Sequence, residues 1–542
     1  MPIPDLLCHE PTVRFDATSL AQTLTFAFAS GVPGSTFAEF AAGAALPPSS
    51  WVPSGFAKEL FVREFVASCL SVRIDGHPYA IDQQNLARVL ALPPRDQRDV
   101  EFRRAVLSEL ATSSAFRVEL EGLYALAHHA RSLLEAPPLS RRIDANRRRL
   151  EILAAIKVAL DAMHGTFAGA ASGLGRVPAY ADAARAGEPY RRLTELLDYD
   201  DHLATLDVRI RIGRDGQVRA LDLLRGVENA NNRYHASPLV RLWRRFGLVF
   251  RGYRVTEQEI LARIIDTVFE GLEPVLVQLC QLIADIEFYV AALAFRDRAR
   301  DLGLEVCLPE LVHAEAKQPP SLARLFNPLL MTQGIPIVPC DLEGRIDETI
   351  SIVTGPNSGG KTRLLQSLAL AQMLGQSGFF VPASAARLVI ATGLFVSLIE
   401  EATADQTEGR LGTELIRIRS LFEKTQVGSM VILDELCSGT NPSEGEEIFE
   451  LVITLLAQLG PQAFITTHFL NLAARIERDP PTSGLAFFQV DLDDAQLPTY
   501  QFKRGVAVTS LAHRTAARLG VTREELLALV ERSRRASAPS AG

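Results

Sequence analysis

Cysteine is scarce and scattered in this 542-residue sequence, at Cys8, Cys69, Cys280, Cys307, Cys340 and Cys437, with no C-x-x-C pair. That spacing excludes a disulfide framework or a zinc ribbon and fits a reducing cytoplasm. An excess of positive charge is missing too. Lysine plus arginine number 56 against 64 aspartates and glutamates, a formal net charge of −8. The chain therefore does not coat nucleic acid by bulk charge, and any such contact needs a local basic surface. The opening MPIPDLLCHE has no basic stretch ahead of an apolar run, so no secretory leader is read there. Long uncharged runs are few. The two that approach a membrane span, residues 17–38 and 364–386, contain Gly31, Pro33 and Gly34 in the first and Gln366, Gln372, Gln376 and Pro382 in the second. Both read as packed interior, with no membrane partner.

What is present is ordinary for a globular chain: 47% hydrophobic and 22% charged residues. The length suggests roughly three or four domains at about 150 residues each. Residues 1–100 give no reaction chemistry and form a region of uncertain fold. From about residue 101 to 318 the pattern is mainly helical. Leu120, Leu123, Tyr124 and Ala127 recur at helical spacing, and Thr256-x-x-Glu259 is a capping box ahead of a long apolar-periodic segment to about Arg300. Pro274 is expected to kink or break that segment. Within this half, Val208, Ile210 and Ile212 alternate with arginines before Gly213-Arg214-Asp215-Gly216, a hairpin signal over 206–223. Two arginine-rich stretches each allow two readings. RRIDANRRR (141–149) is either a solvated helix face or a phosphate-contacting patch. RLWRRFGLVFRGYR (241–254) is either an amphipathic element or a nucleic-acid contact through Arg241, Arg244, Arg245 and Arg251.

Beyond residue 319 the chemistry becomes specific. The β-rich Ile350-Ser351-Ile352-Val353 feeds Gly355-Pro356-Asn357-Ser358-Gly359-Gly360-Lys361-Thr362, and a helical run follows. This is G-x-x-x-x-G-K-[ST] in strand–loop–helix context. Its backbone N–H groups cradle phosphates, Lys361 brings charge to the β/γ-phosphates of ATP, and the Thr362 hydroxyl can ligate Mg²⁺. The apolar run Met430–Leu433 ends in Asp434, placed to hold Mg²⁺, and Glu435, placed as general base toward the attacking water. A third apolar strand, Ala463–Ile465, ends in Thr466-Thr467-His468, and His468 is read as a sensor of the γ-phosphate. The expected fold class is an α/β P-loop ATPase domain, a mostly parallel sheet flanked by helices over 319–535, preceded by the mainly α-helical core or lever region. Residues 536–542 read as a disordered tail.

The words GPNSGGKT (355–362), DELCSGTNPSEG (434–445) and TTHF (466–469) resemble the MutS family of DNA-binding ATPases, within the ATP-binding-cassette group. The motif around Asp434 is closest to the second bacterial MutS branch. The resemblance implies a homodimer whose ATP sites are each completed by the partner, here through Gly412, Thr413 and Glu444. Where the family carries Ser-Thr-Phe this sequence has Gly412-Thr413-Glu414, so a serine donor is absent there. It also implies a DNA partner, mismatched, branched or duplex, with ATP gating a clamp in DNA mismatch repair or recombination. An RNA- or ribosome-directed ATPase and an ATP-gated scaffold with negligible turnover are the alternatives. Phe37-Ala38-Glu39 matches a mismatch-reading tripeptide. It is read as coincidence, because the roughly 320 residues ahead of the ATPase are too few for all the domains of the mismatch-repair branch.

Overall fold

The computed structural model describes residues 1–136, 145–201, 205–212, 218–227, 257–316, 318–356, 358–398, 410–437, 441–508 and 523–536. The chain divides into two compact units, and neither is continuous in sequence. The first comprises Met1–Leu46, Arg73–Asn85 and Ala105–Val290; the second comprises Pro47–Val72, Leu86–Arg104 and Ala291–Gly542. Residues 47–72 and 86–104, which gave no signal in the sequence, thus belong to the unit that carries the P-loop.

The first unit is helical. Ser114–Glu135 buries Leu120, Leu123, Tyr124, Ala127, Ala130 and Leu134, one face at three- and four-residue spacing. The expected proline break does not occur: helix α1 (Glu257–Asp301) runs through Pro274 as one 45-residue element. Among the described residues, its Ala262–Asp301 part is the stretch long and apolar enough to cross a membrane, and 89% of its most apolar window is buried. The two uncharged runs singled out in the sequence are not. Phe37 is buried in the helix Ser35–Gly43, so its ring is a core side chain. Thr205–Ile212 and Val218–Val227 pair antiparallel, as the alternation implied. Arg241, Arg244, Arg245 and Arg251 lie outside the described residues.

In the arginine run at 141–149, Arg141 and Arg142 lie outside the described residues, Arg147 is exposed and pairs with Glu151 one turn on, as a solvated helix face implies, and Arg148 does something neither reading contained. Arg148 donates to the carbonyls of Ala27 and Phe28 (3.1 and 2.8 Å) and of Leu133 and Ala136 (2.9 and 3.1 Å). Ala27, Phe28 and Leu133 lie in the last turns of Ala17–Ser30 and Ser114–Glu135, where carbonyls lack helical partners, although Ala27 also accepts from Gly31 N–H, and Ala136 is the C-cap of the second helix. One guanidinium therefore caps two helix ends.

This unit also buries charge. Arg14 is ion-paired with Asp285 and lies 3.5 Å from Asp5, with all three side chains nearly inaccessible. The segment 5–14 is tied to α1 by further bonds. Leu6 N–H donates to Asp285 (3.0 Å), Arg14 N–H donates to Gln281 (2.7 Å), and Gln281 Nε2 donates to the Thr12 carbonyl (2.8 Å). Burial pushes the Asp285 carboxyl up to about 7 against the pull of Arg14. Nearby in sequence, Glu287 accepts from Asp82 N–H (2.8 Å) and from the Tyr124 hydroxyl (3.3 Å). Burial pushes it up to about 7 as well, opposed chiefly by Arg131.

The second unit is built on a six-stranded sheet. Its strands are β1 (Ile350–Thr354), β2 (Leu394–Ser397), β3 (Met430–Leu433), β4 (Gln462–Thr466), β5 (Leu485–Leu492) and β6 (Pro498–Arg504). The order is β2-β3-β4-β1-β5-β6, parallel throughout except for the antiparallel edge pair β5–β6. β2 and β3 are buried at every position, the signature of a parallel sheet covered on both faces. Helix α2 (Lys361–Gln376) is almost wholly buried. Its internal glutamines are satisfied: Gln376 Nε2 donates to the Ala391 carbonyl and its Oε1 accepts from Ala391 N–H (3.0 and 2.8 Å), and Gln372 donates to the Val389 carbonyl (2.9 Å). Hence the uncharged run 364–386 is core rather than span. The segments 47–72 and 86–104 contribute to the same unit, where Glu59 accepts from Leu398 N–H (2.9 Å) and Arg103 donates to the Ser377 carbonyl (3.1 Å).

Candidate functional site

Register brings the candidate residues together. Ser397 pairs with Leu433, Leu433 with Ile465, and Thr466 with Val353. The residues just beyond β1, β3 and β4 therefore emerge at one edge of the sheet, at the carboxyl ends of its strands, where open α/β sheets bind ligands.

The loop after β1 is shaped by close approach. A Cβ on Gly355 or Gly359 would stand 2.7 Å from Cγ2 of Val490 on β5, so no side chain fits at either position without displacing that strand. Gly355 has φ +138° and Gly360 φ +85°, a region that disfavours residues with a Cβ. Gly360 caps α2 with no side-chain bond to its first N–H groups, which leaves the positive end of the helix dipole facing the loop. Lys361 is buried, and its Nζ donates to the carbonyls of Gly355 and Pro356 (2.8 and 3.1 Å). Burial pushes this ammonium below the ordinary lysine range, with Glu435 and Asp434 opposing. Pro356 is buried, Ser358 and Thr362 are exposed, and Asn357 lies outside the described residues.

The acids sit opposite. Asp434 accepts from the Thr362 hydroxyl on one oxygen and from the Thr466 hydroxyl on the other. Thr466 Oγ1 in turn accepts from Glu435 N–H (2.8 Å). Glu435 Oε1 lies 2.6 Å from His468 Nε2. That bond holds the Glu435 carboxyl below the usual carboxylate range, against burial, so it is ionised at neutral pH and able to accept a proton. Glu435 has φ +52° and Cys437 φ +63°, left-handed backbone that non-glycine residues hold only where surrounding contacts fix it.

The residues expected to act on ATP thus converge: Lys361, Thr362, Asp434, Glu435 and His468 form one contiguous group with the loop. Of the other candidates, Gly412 lies on helix α3 (Arg410–Lys424), whose backbone includes Thr413. Glu444 is exposed in the first turn of Pro442–Ala457, the helix capped by Asn441. Two contributors had no role of their own in the sequence, although Thr466 lies within TTHF (466–469). Thr466 was read as a strand end, yet it orients Asp434 and holds the Glu435 backbone. Val490 was not read at all, since a valine on an apolar strand announces nothing about the glycines packed on it.

These groups suit a magnesium–nucleotide. Two hard oxygen donors, Thr362 and Asp434, face each other, as Mg²⁺ sites prefer. A lysine and an uncapped helix N-terminus flank them, and the loop is too tight for side chains where phosphates must approach backbone.

Residues 351–532 match the family described as MutS domain V, a range that holds Gly355–Thr362, Asp434, Glu435 and His468. Curated relatives include endonuclease MutS2 of Streptococcus gordonii, 31% identical over 275 residues, 50% of this chain and 34% of the relative. Endonuclease MutS2 of Thermus thermophilus is 32% identical over 228 residues, 42% of this chain and 29% of the relative. That of Thermomicrobium roseum is 28% identical over 282 residues, 50% of this chain and 35% of the relative. The aligned part spans about a third of the length of these relatives.

Proposed function

We propose, for a chain that belongs to the MutS family of ATPases, that ATP binding and hydrolysis gate a dimeric clamp on mismatched or branched DNA in repair or recombination. The observation that carries this reading is the hydroxyl–carboxylate chain from Thr362 through Asp434 and Thr466 to the Glu435 backbone, set beside the Glu435–His468 pair and beneath a P-loop. Lys361 and the N–H groups of the loop bind the β- and γ-phosphates. Thr362 and Asp434 would hold Mg²⁺, which would neutralise phosphate charge. Glu435 takes the proton of the attacking water, and His468 holds Glu435 in place and stands where it can register the γ-phosphate. Thr466 keeps Asp434 in one orientation. Water forms a bond to the γ-phosphorus as the bond to ADP breaks, and ADP and phosphate leave, with no covalent enzyme intermediate in the reading.

The finer parts of the reading follow from the family. The protein acts in the cytoplasm as a homodimer in which Gly412, Thr413 and Glu444 face the partner's nucleotide. Arg241, Arg244, Arg245 and Arg251, with the hairpin, contact the DNA backbone. The test is a binding panel of mismatched, branched and homoduplex DNA plus structured RNA, with and without ATP, over a range of salt, on protein whose mass in solution is measured. ATP-dependent retention of a dimer on mismatched or branched DNA is expected. The salt slope should fall by about one for each phosphate contact removed at Arg244 and Arg245. Equal binding with and without ATP would overturn the gate, and preference for the RNA would redirect the clamp to that substrate.

A further inference from the structure

Helix α3 carries two charged side chains that the hydrolytic group does not use. Glu414 is 5% exposed, and its Oε2 accepts from the backbone N–H of Cys437 at 3.4 Å. Arg417, one turn on, donates to the Ser397 hydroxyl at the end of β2. The carbonyl of that same Ser397 accepts from Asp434 N–H at 2.9 Å. Spaced by three residues, Glu414 and Arg417 lie on one face of the helix. That face meets the Asp434–Cys437 turn from both sides: Arg417 reaches Ser397, whose carbonyl anchors Asp434 N–H, and Glu414 reaches the residue that ends the turn. A small cavity lined by Phe395, Glu414, Arg417, Ile418, Leu433 and Asp434 lies between the helix and β3, and beside it Leu421 of the helix shares an apolar core with Val431 and Leu433, so the polar contacts add direction to that packing.

The backbone these contacts reach is the left-handed pair Glu435 and Cys437. Such a turn has to be held from outside, and its geometry decides where the Glu435 carboxylate points. Cys437 itself offers no chemistry, since its thiol is fully buried and pushed up to about 12 by burial, with Glu414 adding to the effect. Its N–H is the part that the helix uses. At the third position of Gly412-Thr413-Glu414 the family resemblance would place an aromatic, which could fill space but could not accept that hydrogen bond.

We propose that Glu414 and Arg417 are positioning residues that clamp helix α3 to the Asp434–Cys437 turn, so that the seat of α3 sets the rate at which Glu435 acts. Glu414 holds the end of the turn, Arg417 holds the strand beside its start, and a shift of the helix is passed to both acids. The proposal rests on the ATPase reading, and the experiment separates the two.

Steady-state and single-turnover hydrolysis, the affinity for a fluorescent ATP analogue, and amide hydrogen exchange at Cys437 are measured on the full chain for wild type, Glu414→Ala, Glu414→Gln and Arg417→Ala. Misplacing a reacting group by about an ångström costs on the order of 100-fold. Glu414→Ala should therefore lower kcat about 10- to 100-fold with analogue affinity within about twofold. Glu414→Gln should recover most of the rate, because the amide oxygen still accepts from Cys437 N–H. Arg417→Ala should lower kcat without changing KM. Exchange at Cys437 should speed up in Glu414→Ala and not in Glu414→Gln. Wild-type hydrolysis by Glu414→Ala, or equal impairment of the alanine and glutamine variants, would overturn the clamp. A wild type that turns over no ATP would defeat the ATPase reading instead. The clamp would then stand or fall on the exchange measurement, which needs no hydrolysis.

Discussion

The two units treat charge in opposite ways. In the helical unit Asp5, Arg14 and Asp285 are sealed in the interior, and their oxygens and nitrogens are spent on one another and on the backbone of residues 6–14. In the ATPase unit Asp434, Glu435 and His468 stand at strand ends, partly open to solvent, where a ligand can reach them. Buried charge of the first kind is weak as a source of net stability but severe when one partner is removed. Strand-end charge of the second kind costs little to keep and is available for chemistry. The contrast teaches that a cluster of titratable groups is a functional signal only where the fold leaves it an approach.

The sharpest way to break the comparison is Glu435→Gln. It should lower the hydrolysis rate by about 10²–10⁴-fold while ATP still binds, as read by phosphate release against binding of a fluorescent analogue. Turnover near wild type would remove Glu435 as base. Arg14→Ala attacks the other region. It leaves two buried carboxylates without their cation and should cost about 3–5 kcal/mol in stability, read by denaturant melts, with nucleotide affinity of the folded protein within about twofold. A variant as stable as wild type would show that the cluster is not the anchor described. Lys361→Ala should weaken nucleotide binding by roughly 100-fold, the scale of a lost charge-assisted bond to phosphate, with melting unchanged. Unaltered affinity in titration calorimetry would contradict the loop assignment.

The smallest effect is a pH dependence. Glu287 is pushed up to about 7 in the folded protein, while an unfolded glutamate titrates near about 4.3. The folded state therefore holds this proton more tightly. Its contribution to stability is full below about pH 4, is lost as pH rises toward 7, and is flat above that. Glu287→Gln keeps an acceptor for Asp82 N–H, turns an amide N–H toward the Tyr124 hydroxyl in place of the acceptor there, and cannot ionise. Its melting temperature should vary less between pH 5 and pH 7 than that of wild type; the slope that remains includes Asp285, pushed up by burial, and His128, pushed down by burial. Parallel curves would show that Glu287 does not titrate in this range.

The convergence of Lys361, Thr362, Asp434, Glu435 and His468 was legible because phosphate-binding chemistry demands fixed residue types at fixed spacing: glycines where backbone must meet phosphate, a lysine beside them, acids at a strand end. The hairpin and the face of Ser114–Glu135 were legible from period alone. Discontinuity was not. Residues 47–72 and 86–104 join the ATPase unit through contacts such as Glu59 with Leu398 N–H and Arg103 with the Ser377 carbonyl, which leave no local trace. Arg148 looked like any arginine in a basic run, because capping two distant helix ends is a property of tertiary placement. Of the kink or break expected at Pro274, the break does not occur: a proline removes one bond from a helix, and a 45-residue helix with a buried face can absorb that loss. Glu414 was visible as a departure from a pattern, but what it touches depends on the turn at Cys437.

The clasp between residues 5–14 and helix α1 also has a consequence in time. A ribosome releases Asp5 and Arg14 long before it makes Gln281 and Asp285, so these two charged side chains must wait for those distant residues before they can leave water. The other unit waits as well, since its segments at 47–72 and 86–104 find their sheet only after residue 350 has emerged. Pairing across such distances in sequence is slow. A nascent chain stalled before about residue 257 therefore carries apolar helix faces with nothing to cover them, the kind of intermediate that chaperones hold and that aggregates when they do not.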